Sequence, residues 1–249
     1  MKEQLKEGAG LVSEFLLDLL LPEGVVCLTC ERLSRGELLC PDCARSLQNG
    51  VLPEPRCPRC GYPLDEKGEC AFCREHTLKA LSARSAWTHE GAARKLVHAF
   101  KYNACGAAGD LLAEGIAPLC AELPEDAALT WVTPPERRKK EGRIDHGRLL
   151  AEKVAALTGR EALRLLERTD ETDLKHQQGL NAAERAENIR GRFRARSGAE
   201  GRSVALIDDV LTTGATANEC TQALLDAGAA EVRVLTATRA VRMEDIYII

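Results

Sequence analysis

The chain has 249 residues, enough for one large domain or two smaller ones with a substantial hydrophobic core. Its formal net charge of −4 and pI near 5.8 argue against a protein whose whole surface binds nucleic acid, although a local basic patch is compatible with both values. The 11 cysteines are unevenly placed, because eight of them form C-x-x-C pairs between Cys27 and Cys73.

Residues 1–22 are predicted to form an amphipathic helix that docks on the protein. Their apolar residues recur at helical spacing, and the run 15–21 is too short to span a bilayer and is interrupted by Asp18. A membrane-surface anchor is the alternative, and weak flanking basic charge argues against it. No secretion-signal pattern is found. We therefore expect a cytoplasmic protein without a transmembrane segment, in a reducing compartment where paired cysteines favour metal over disulfides.

Residues 23–78 contain a duplicated cysteine pattern. Two C-x2-C-x9-C-x2-C sets occur, and each cysteine of the second set follows its counterpart by 30 residues. Paired thiolates on short knuckles supply the tetrahedral four-sulfur shell that zinc prefers, and the lack of an open position indicates structural rather than catalytic zinc. A redox dithiol or a set of buried thiols is the alternative. The predicted ligands of this double zinc ribbon are Cys27, Cys30, Cys40, Cys43, Cys57, Cys60, Cys70 and Cys73.

The spacing leaves open which cysteines share an ion. The duplication favours two local sites, one in each copy, because each copy would once have been self-sufficient. An interleaved cross-brace is the competing arrangement. Segments this short bury little apolar surface, so metal binding is expected to supply most of their stability. The three remaining cysteines, at 105, 120 and 220, lie in helical, apolar contexts and are predicted to be core thiols.

Residues 79–249 are predicted to form an α/β domain with a parallel sheet flanked by helices. Short apolar runs typical of strands alternate with segments of helical periodicity. This alternation places ligands beyond the carboxyl ends of the strands, so the loops at 134–148 and 208–216 should meet in one cleft. The predicted strands are 128–135, stopped by its prolines, 162–166, 204–207 and 231–238, and the predicted helices are 93–102, 146–157 and 215–227.

The stretch VALIDDVLTTGAT, residues 204–216, joins a buried strand to two aspartates and a loop of small and hydroxyl residues. Charged groups avoid burial unless they are paired, so this strand end is expected to open onto a ligand. A loop that enters a helix offers unpaired backbone N–H groups and the positive end of the helix dipole, as a phosphate monoester requires. Asp208 and Asp209 can accept hydrogen bonds from vicinal sugar hydroxyls or face a magnesium ion. Together these groups describe a ribose 5-phosphate site.

These residues resemble the signature of the type I phosphoribosyltransferases: four apolar residues, two acidic ones, two apolar or small ones, then T/D-T-G-x-T/S. A P-loop nucleotidase is ruled out because G-x-x-x-x-G-K-[ST] does not occur in the chain. Over about residues 25–240 the chain resembles the ComF family, which combines a double zinc ribbon, an AFKY-like segment, a basic loop, a stretch like HQQGLNAAERAENIRGRFRA (176–195) and the ribose-phosphate motif. The resemblance implies a type I phosphoribosyltransferase fold and a link to natural competence and DNA uptake.

The same resemblance assigns roles to individual residues. It implies that phosphoribosyl pyrophosphate binds with Mg²⁺ bridging its diphosphate, that Asp208 and Asp209 serve the ribose, and that Lys101 closes the site. The 5-phosphate would be held by Thr212, Thr213, Gly214, Ala215 and Thr216. The diphosphate would be held by a basic loop, for which a solvated loop is the alternative: Arg137, Arg138, Lys139, Lys140 and Arg143.

The sequence departs from the family pattern in two places. Family members usually carry R-G-F/Y-N/D-Q/H after the basic loop, whereas residues 142–146 read GRIDH, which puts the details of the diphosphate contact in doubt. Hypoxanthine-type enzymes carry an aspartate at the position of Thr212, so its absence argues against purine salvage. The polar segment 170–180 is read either as a mobile hood that excludes water or as a surface loop.

Two functional hypotheses follow. In the first, the protein is a phosphoribosyltransferase acting on an unidentified acceptor. In the second, it is a non-catalytic factor that binds single-stranded DNA beside other competence proteins and keeps the pocket as a sensor or relic. A zinc-ribbon scaffold for protein contacts is a third, simpler reading. An aromatic content of 4% offers little for base stacking, so any DNA contact would be mainly backbone electrostatics.

Overall fold

The computed structural model describes residues 26–34, 36–102, 105–134, 144–169 and 191–242. The predicted helix at 1–22 lies outside them. Among the described residues, no helix combines the length and apolar character needed to cross a membrane. The helices are α1 (Pro41–Asn49), α2 (Ala71–Glu75), α3 (Gly91–Tyr102), α4 (Gly106–Ile116), α5 (His146–Thr158) and α6 (Ala215–Asp226), with a 3-10 turn at Ala117–Glu122. The strands are β1 (Ser82–Thr88), β2 (Ala128–Trp131), β3 (Leu166–Arg168), β4 (Phe193–Ala195), β5 (Ser203–Leu211) and β6 (Glu231–Arg239).

Four strands form a parallel sheet in the order β1-β6-β5-β2, and β3 and β4 form a separate antiparallel pair. β5 lies inside the sheet, with Asp208 opposite Thr236 and Leu211 opposite Arg239 of β6. The first half of β5 is a continuous apolar run because both faces of the sheet are covered. All four strands point their carboxyl ends toward the same edge of the sheet, where the predicted ligand loop emerges.

Two apolar clusters cover the two faces of the sheet. On one face Phe100 of α3 and Leu112 of α4 belong to a cluster with Ile207 of β5. On the other face Leu206 of β5 belongs to a cluster that includes α6 and Phe72 of the second zinc ribbon. The second ribbon is therefore packed into the core of the α/β fold.

The structure corrects two expectations about strands. The predicted strand at 162–166 is wrong in its extent, because Ala162 makes only an isolated parallel bridge to Leu129 and the regular strand begins at Leu166, in the separate antiparallel pair. The edge strand β1 was not predicted. Its sequence, SARSAWT, alternates small and polar residues, so it lacks the apolar run that marks the inner strands.

Candidate functional site

The eight ribbon cysteines form two compact groups. In each group the four sulfur atoms lie within 4.8 Å of one another, and the grouping is local: the first four cysteines form one site and the last four the other. The Sγ atoms of Cys60 and Cys70 are 3.5 Å apart, and those of Cys30 and Cys40 are 3.6 Å apart. Zinc bonded to sulfur at about 2.3 Å in a regular tetrahedron separates the sulfur atoms by about 3.8 Å. Both groups thus fit zinc, and the cross-brace arrangement is not formed.

The two ribbons use the same turn but differ in what surrounds it. Glu31 and its counterpart Gly61 both have positive φ, 62° and 69°. A Cβ atom at Gly61 would lie only 2.7 Å from the carbonyl oxygen of Ala83 in β1. The glycine is therefore needed where the second ribbon approaches the sheet backbone, and the first ribbon accommodates a glutamate at the same place.

The predicted ribose-phosphate loop lies at the carboxyl edge of the sheet. β5 ends at Leu211, and Gly214 adopts φ 78°, a left-handed conformation that glycine takes without strain, to start α6. Gly214, at the N-cap, has no side chain to cap this helix, and the Ala215 N–H group donates to the Thr213 hydroxyl at 3.4 Å. The N–H groups that follow in the first turn can bind an anion, in addition to the favourable end of the helix dipole.

The two aspartates have different surroundings. Asp209 is buried and forms an ion pair with the ammonium group of Lys101, which extends from α3. Asp208 accepts a hydrogen bond from the Asp209 N–H group at 2.9 Å. Burial raises the pKa of Asp208 to about 6, and the nearby Lys101 charge acts in the opposite direction. The structure therefore brings Lys101, both carboxylates and the loop to one edge of the sheet.

The predicted diphosphate ligands Arg137, Arg138, Lys139, Lys140 and Arg143 lie outside the described residues. The chain is described again from Ile144. Asp145, within the segment that departs from the family pattern, caps α5 by accepting a hydrogen bond from the Arg148 N–H group at 3.0 Å. A local structural role thus accounts for this aspartate.

A cavity of about 240 Å³ adjoins the loop, and sequence reasoning missed it. Thr212 and Thr213 line one side, and Tyr62, Phe72 and His76 of the second ribbon line another. The first repeat has Arg32 and Asp42 where the second has Tyr62 and Phe72. This aromatic pair, present in only one copy of the repeat, was the feature of the sequence that could have indicated the cavity.

The comparisons with known proteins agree with this architecture. Residues 16–74 match the double zinc ribbon domain family. This match and the two four-sulfur groups support the prediction of a zinc-ribbon module at the N-terminus. The chain is also 28% identical over 204 residues to the DNA utilization protein YhgH of Salmonella typhi, a match that spans 79% of this chain and 88% of that protein. The family match and this relative confirm the predicted ComF-like resemblance, and the parallel sheet behind the ribbon confirms the predicted fold class.

Similar solved structures include two phosphoribosyl enzymes. The glutamine phosphoribosylpyrophosphate amidotransferase of B. subtilis is 25% identical, with a TM-score of 0.34, over 51% of this chain and 24% of that chain. The adenine phosphoribosyltransferase of Leishmania tarentolae is 14% identical, with a TM-score of 0.36, over 59% of this chain and 76% of that chain. The chain spans about a quarter of the length of the amidotransferase.

Proposed function

We propose that this protein binds phosphoribosyl pyrophosphate with Mg²⁺ at the carboxyl edge of its parallel sheet and transfers the phosphoribosyl group to an acceptor. The observation that carries the proposal is the course of the chain through Asp208, Asp209 and the left-handed Gly214 turn into α6. Carboxylates that suit a sugar diol are followed directly by backbone N–H groups that suit a phosphate.

The ion pair between Lys101 and Asp209 supports this assignment. It holds a cation and a carboxylate together at the strand ends. Mg²⁺ is bound in proteins by one or two carboxylates together with substrate phosphates and water, and a lysine is a suitable contact for a phosphate. With a magnesium diphosphate bound, Asp209 would hold the metal and Lys101 would contact the diphosphate.

The transfer step requires mainly positioning and charge stabilisation. The bond between ribose C1 and the diphosphate oxygen breaks, the electron pair leaves with the diphosphate, and a bond forms between C1 and the acceptor. Groups that hold both phosphate ends lower the barrier without taking part in bonding. The acceptor enters the cavity beside Thr212 and Thr213, which is smaller than the pockets of drug-sized ligands and suits a small flat ring. His76 also lines this cavity, and the proton that the acceptor gives up passes to solvent.

The test is titration calorimetry with phosphoribosyl pyrophosphate and Mg²⁺, comparing wild type with the Asp208→Asn, Asp209→Asn double variant. Loss of these charge-assisted contacts should weaken binding by roughly ten- to a hundred-fold. Asp110→Asn is the matched control, because Asp110 is also ion-paired, with Lys153, but lies on α4 away from the site. Equal affinity in wild type and the double variant contradicts the assignment. Pyrophosphate release over a panel of amines and bases then tests turnover.

A second candidate function is contact with single-stranded DNA, favoured by the name of the relative, a DNA utilization protein. The basic residues 137–140 would supply phosphate contacts. Affinity should then fall steeply with salt, and neutralising all four residues should flatten this dependence. Undetectable binding at low salt would eliminate DNA contact by this chain alone.

A further inference from the structure

We propose that the second zinc ribbon controls the phosphate loop, residues 212–216. Arg239 couples this loop to the second metal site, which is formed by Cys57, Cys60, Cys70 and Cys73. The first ribbon has no such role. The inference rests on the proposed function and specifies how its ligand site is controlled. Loading of the second site with zinc, and not of the first, sets the affinity of the loop for ribose 5-phosphate.

Arg239 is a fully buried charge that the protein only partly satisfies. Its side chain is 0% exposed, and its Nη1 atom donates a hydrogen bond to the carbonyl oxygen of Cys60 at 2.6 Å. Its Nε and Nη2 atoms have no hydrogen-bond partner within the described residues. Burying a cation is costly unless negative charge compensates it. The group therefore requires an anionic neighbour.

The second metal site supplies that negative charge. Four thiolates around one Zn²⁺ carry a net charge of −2, and Cys60 is one of them. The guanidinium carbon also lies 4.3 Å from the ring centre of Phe72 and 5.1 Å from that of Tyr62. Two ribbon aromatics thus add cation–π attraction to the charge of the metal site.

The same arginine is joined to the phosphate loop through the sheet. Arg239 is the last residue of β6 and lies opposite Leu211, the residue before the loop, on β5. The next residue of the chain, Ala240, donates its N–H to the carbonyl oxygen of Leu211 at 2.9 Å. On the other side, the Cζ atom of Phe72 is 3.8 Å from the position that a Cβ atom of Gly214 would take. The ring of Phe72 therefore bridges Arg239 and the turn that opens α6.

A second clamp ties the ribbon to the helix behind the loop. Asn218, in the first turns of α6, donates its side-chain amide to the carbonyl oxygen of Thr77 at 2.6 Å. Its side-chain oxygen accepts the N–H of Lys79 at 2.8 Å. These residues connect the second ribbon to β1. The loop is thus contacted by the second ribbon at Gly214, and α6 behind it is tied through Asn218 to the segment that follows the ribbon.

The first ribbon lacks these features although its cysteine pattern is the same. The counterparts of Tyr62 and Phe72 are Arg32 and Asp42, whose side chains are 74% and 64% exposed and pair at 3.6 Å. This ribbon instead contacts the start of α3, where the Ala92 N–H donates to the Ser46 hydroxyl at 3.3 Å. The two metal sites therefore have the same four-cysteine chemistry but differ in the contacts that their ribbons make with the rest of the protein.

The test compares the duplicated ligands Cys70→Ser and Cys40→Ser in the full chain. Each variant should lose one zinc ion. Only Cys70→Ser should accelerate amide hydrogen exchange in residues 211–218 and weaken ribose 5-phosphate binding, by about tenfold or more. Because coupling is reciprocal, ribose 5-phosphate should also raise the zinc affinity of the second site, measured by equilibrium competition with a chelator, and leave that of the first unchanged.

Arg239→Met tests the bridge directly and covers the case in which Cys70→Ser does not fold. It keeps the size of the side chain and removes the charge, so the second site should lose about 10- to 100-fold in zinc affinity, with faster exchange in residues 211–218. Arg233→Met is the control, because Arg233 lies on the same strand but pairs with Glu231. Equal effects of the two cysteine variants, or unchanged zinc affinity and exchange in Arg239→Met, overturn the proposal. If wild type does not bind ribose 5-phosphate, the proposed function fails, while the zinc and exchange measurements still decide the coupling.

Discussion

Asp208 is a carboxyl group that the fold holds at a cost, so Asp208→Asn should stabilise the protein near neutral pH. The residue leaves β5 directly after the fully buried Ile207. Burial raises its pKa from 3.8 to about 6, although the charge of Lys101 acts in the opposite direction. Asparagine has nearly the same shape, still accepts the hydrogen bond from the Asp209 N–H group and does not ionise.

The size and sign of the effect follow from the two pKa values. Because the folded-state pKa is the higher one, the stability linked to Asp208 is fully present below about pH 3.8 and is lost as the pH rises through about 6. The full difference corresponds to about 3 kcal/mol. The free energy of unfolding of Asp208→Asn should therefore exceed that of wild type by about 3 kcal/mol at pH 7.5 and by about 2 kcal/mol at pH 5.5.

Urea unfolding at the two pH values, with zinc present, measures this gain. Asp209→Asn is the matched control, because the carboxylate of Asp209, next to Asp208 in the chain, is paired with Lys101. Removing that partner should destabilise the fold by about 1 kcal/mol, so the two adjacent substitutions should have opposite signs. A loss of stability in Asp208→Asn at pH 7.5, or a gain that does not change with pH, would refute the reasoning. A carboxyl kept at such a cost is expected where a ligand uses it.

Two further predictions concern metal content and the turn before α6. Elemental analysis of reduced protein should give two zinc ions per chain, and Cys27→Ser should lose one ion while the second ribbon keeps its own, because the four-sulfur groups are local; one ion or none in folded wild type contradicts this. Gly214→Val should abolish ribose 5-phosphate binding, since a branched side chain blocks the approach of a phosphate to the backbone. Gly201→Val is the control, because it introduces similar backbone strain, about 1–2 kcal/mol at φ 67°, away from the site. Equal binding by the two variants would show that backbone strain, rather than a blocked approach of the ligand, causes the loss.

The sequence predicted those parts of the site whose chemistry is local along the chain. The strand, the aspartates and the turn at Gly214 are consecutive, so their order predicts a ribose-phosphate site, and the structure shows the strand and the turn themselves. The duplication likewise favoured a local grouping of the cysteines, although the spacing left a cross-brace open. Arg239 could not be found like this, because it ends an ordinary strand and its hydrogen-bond partner, Cys60, lies 179 residues away. Strand β1 was not predicted because its residues are small or polar and lack the apolar run typical of a strand; its pairing with β6 becomes visible only in the structure.

The 5-phosphate and the diphosphate of the proposed ligand are held by different groups at the sheet edge. Lys101 is paired with Asp209, and in the proposed complex it contacts the diphosphate, to which it supplies one positive charge. The 5-phosphate can be held without it, because the first turn of α6 supplies N–H groups and the helix dipole. A diphosphate carries more negative charge and lies beyond the ribose, so it requires cations from elsewhere, and the sequence offers these in residues 137–143. Ribose 5-phosphate therefore reports on the loop and the second ribbon, whereas the additional affinity for phosphoribosyl pyrophosphate reports on the basic loop and Mg²⁺.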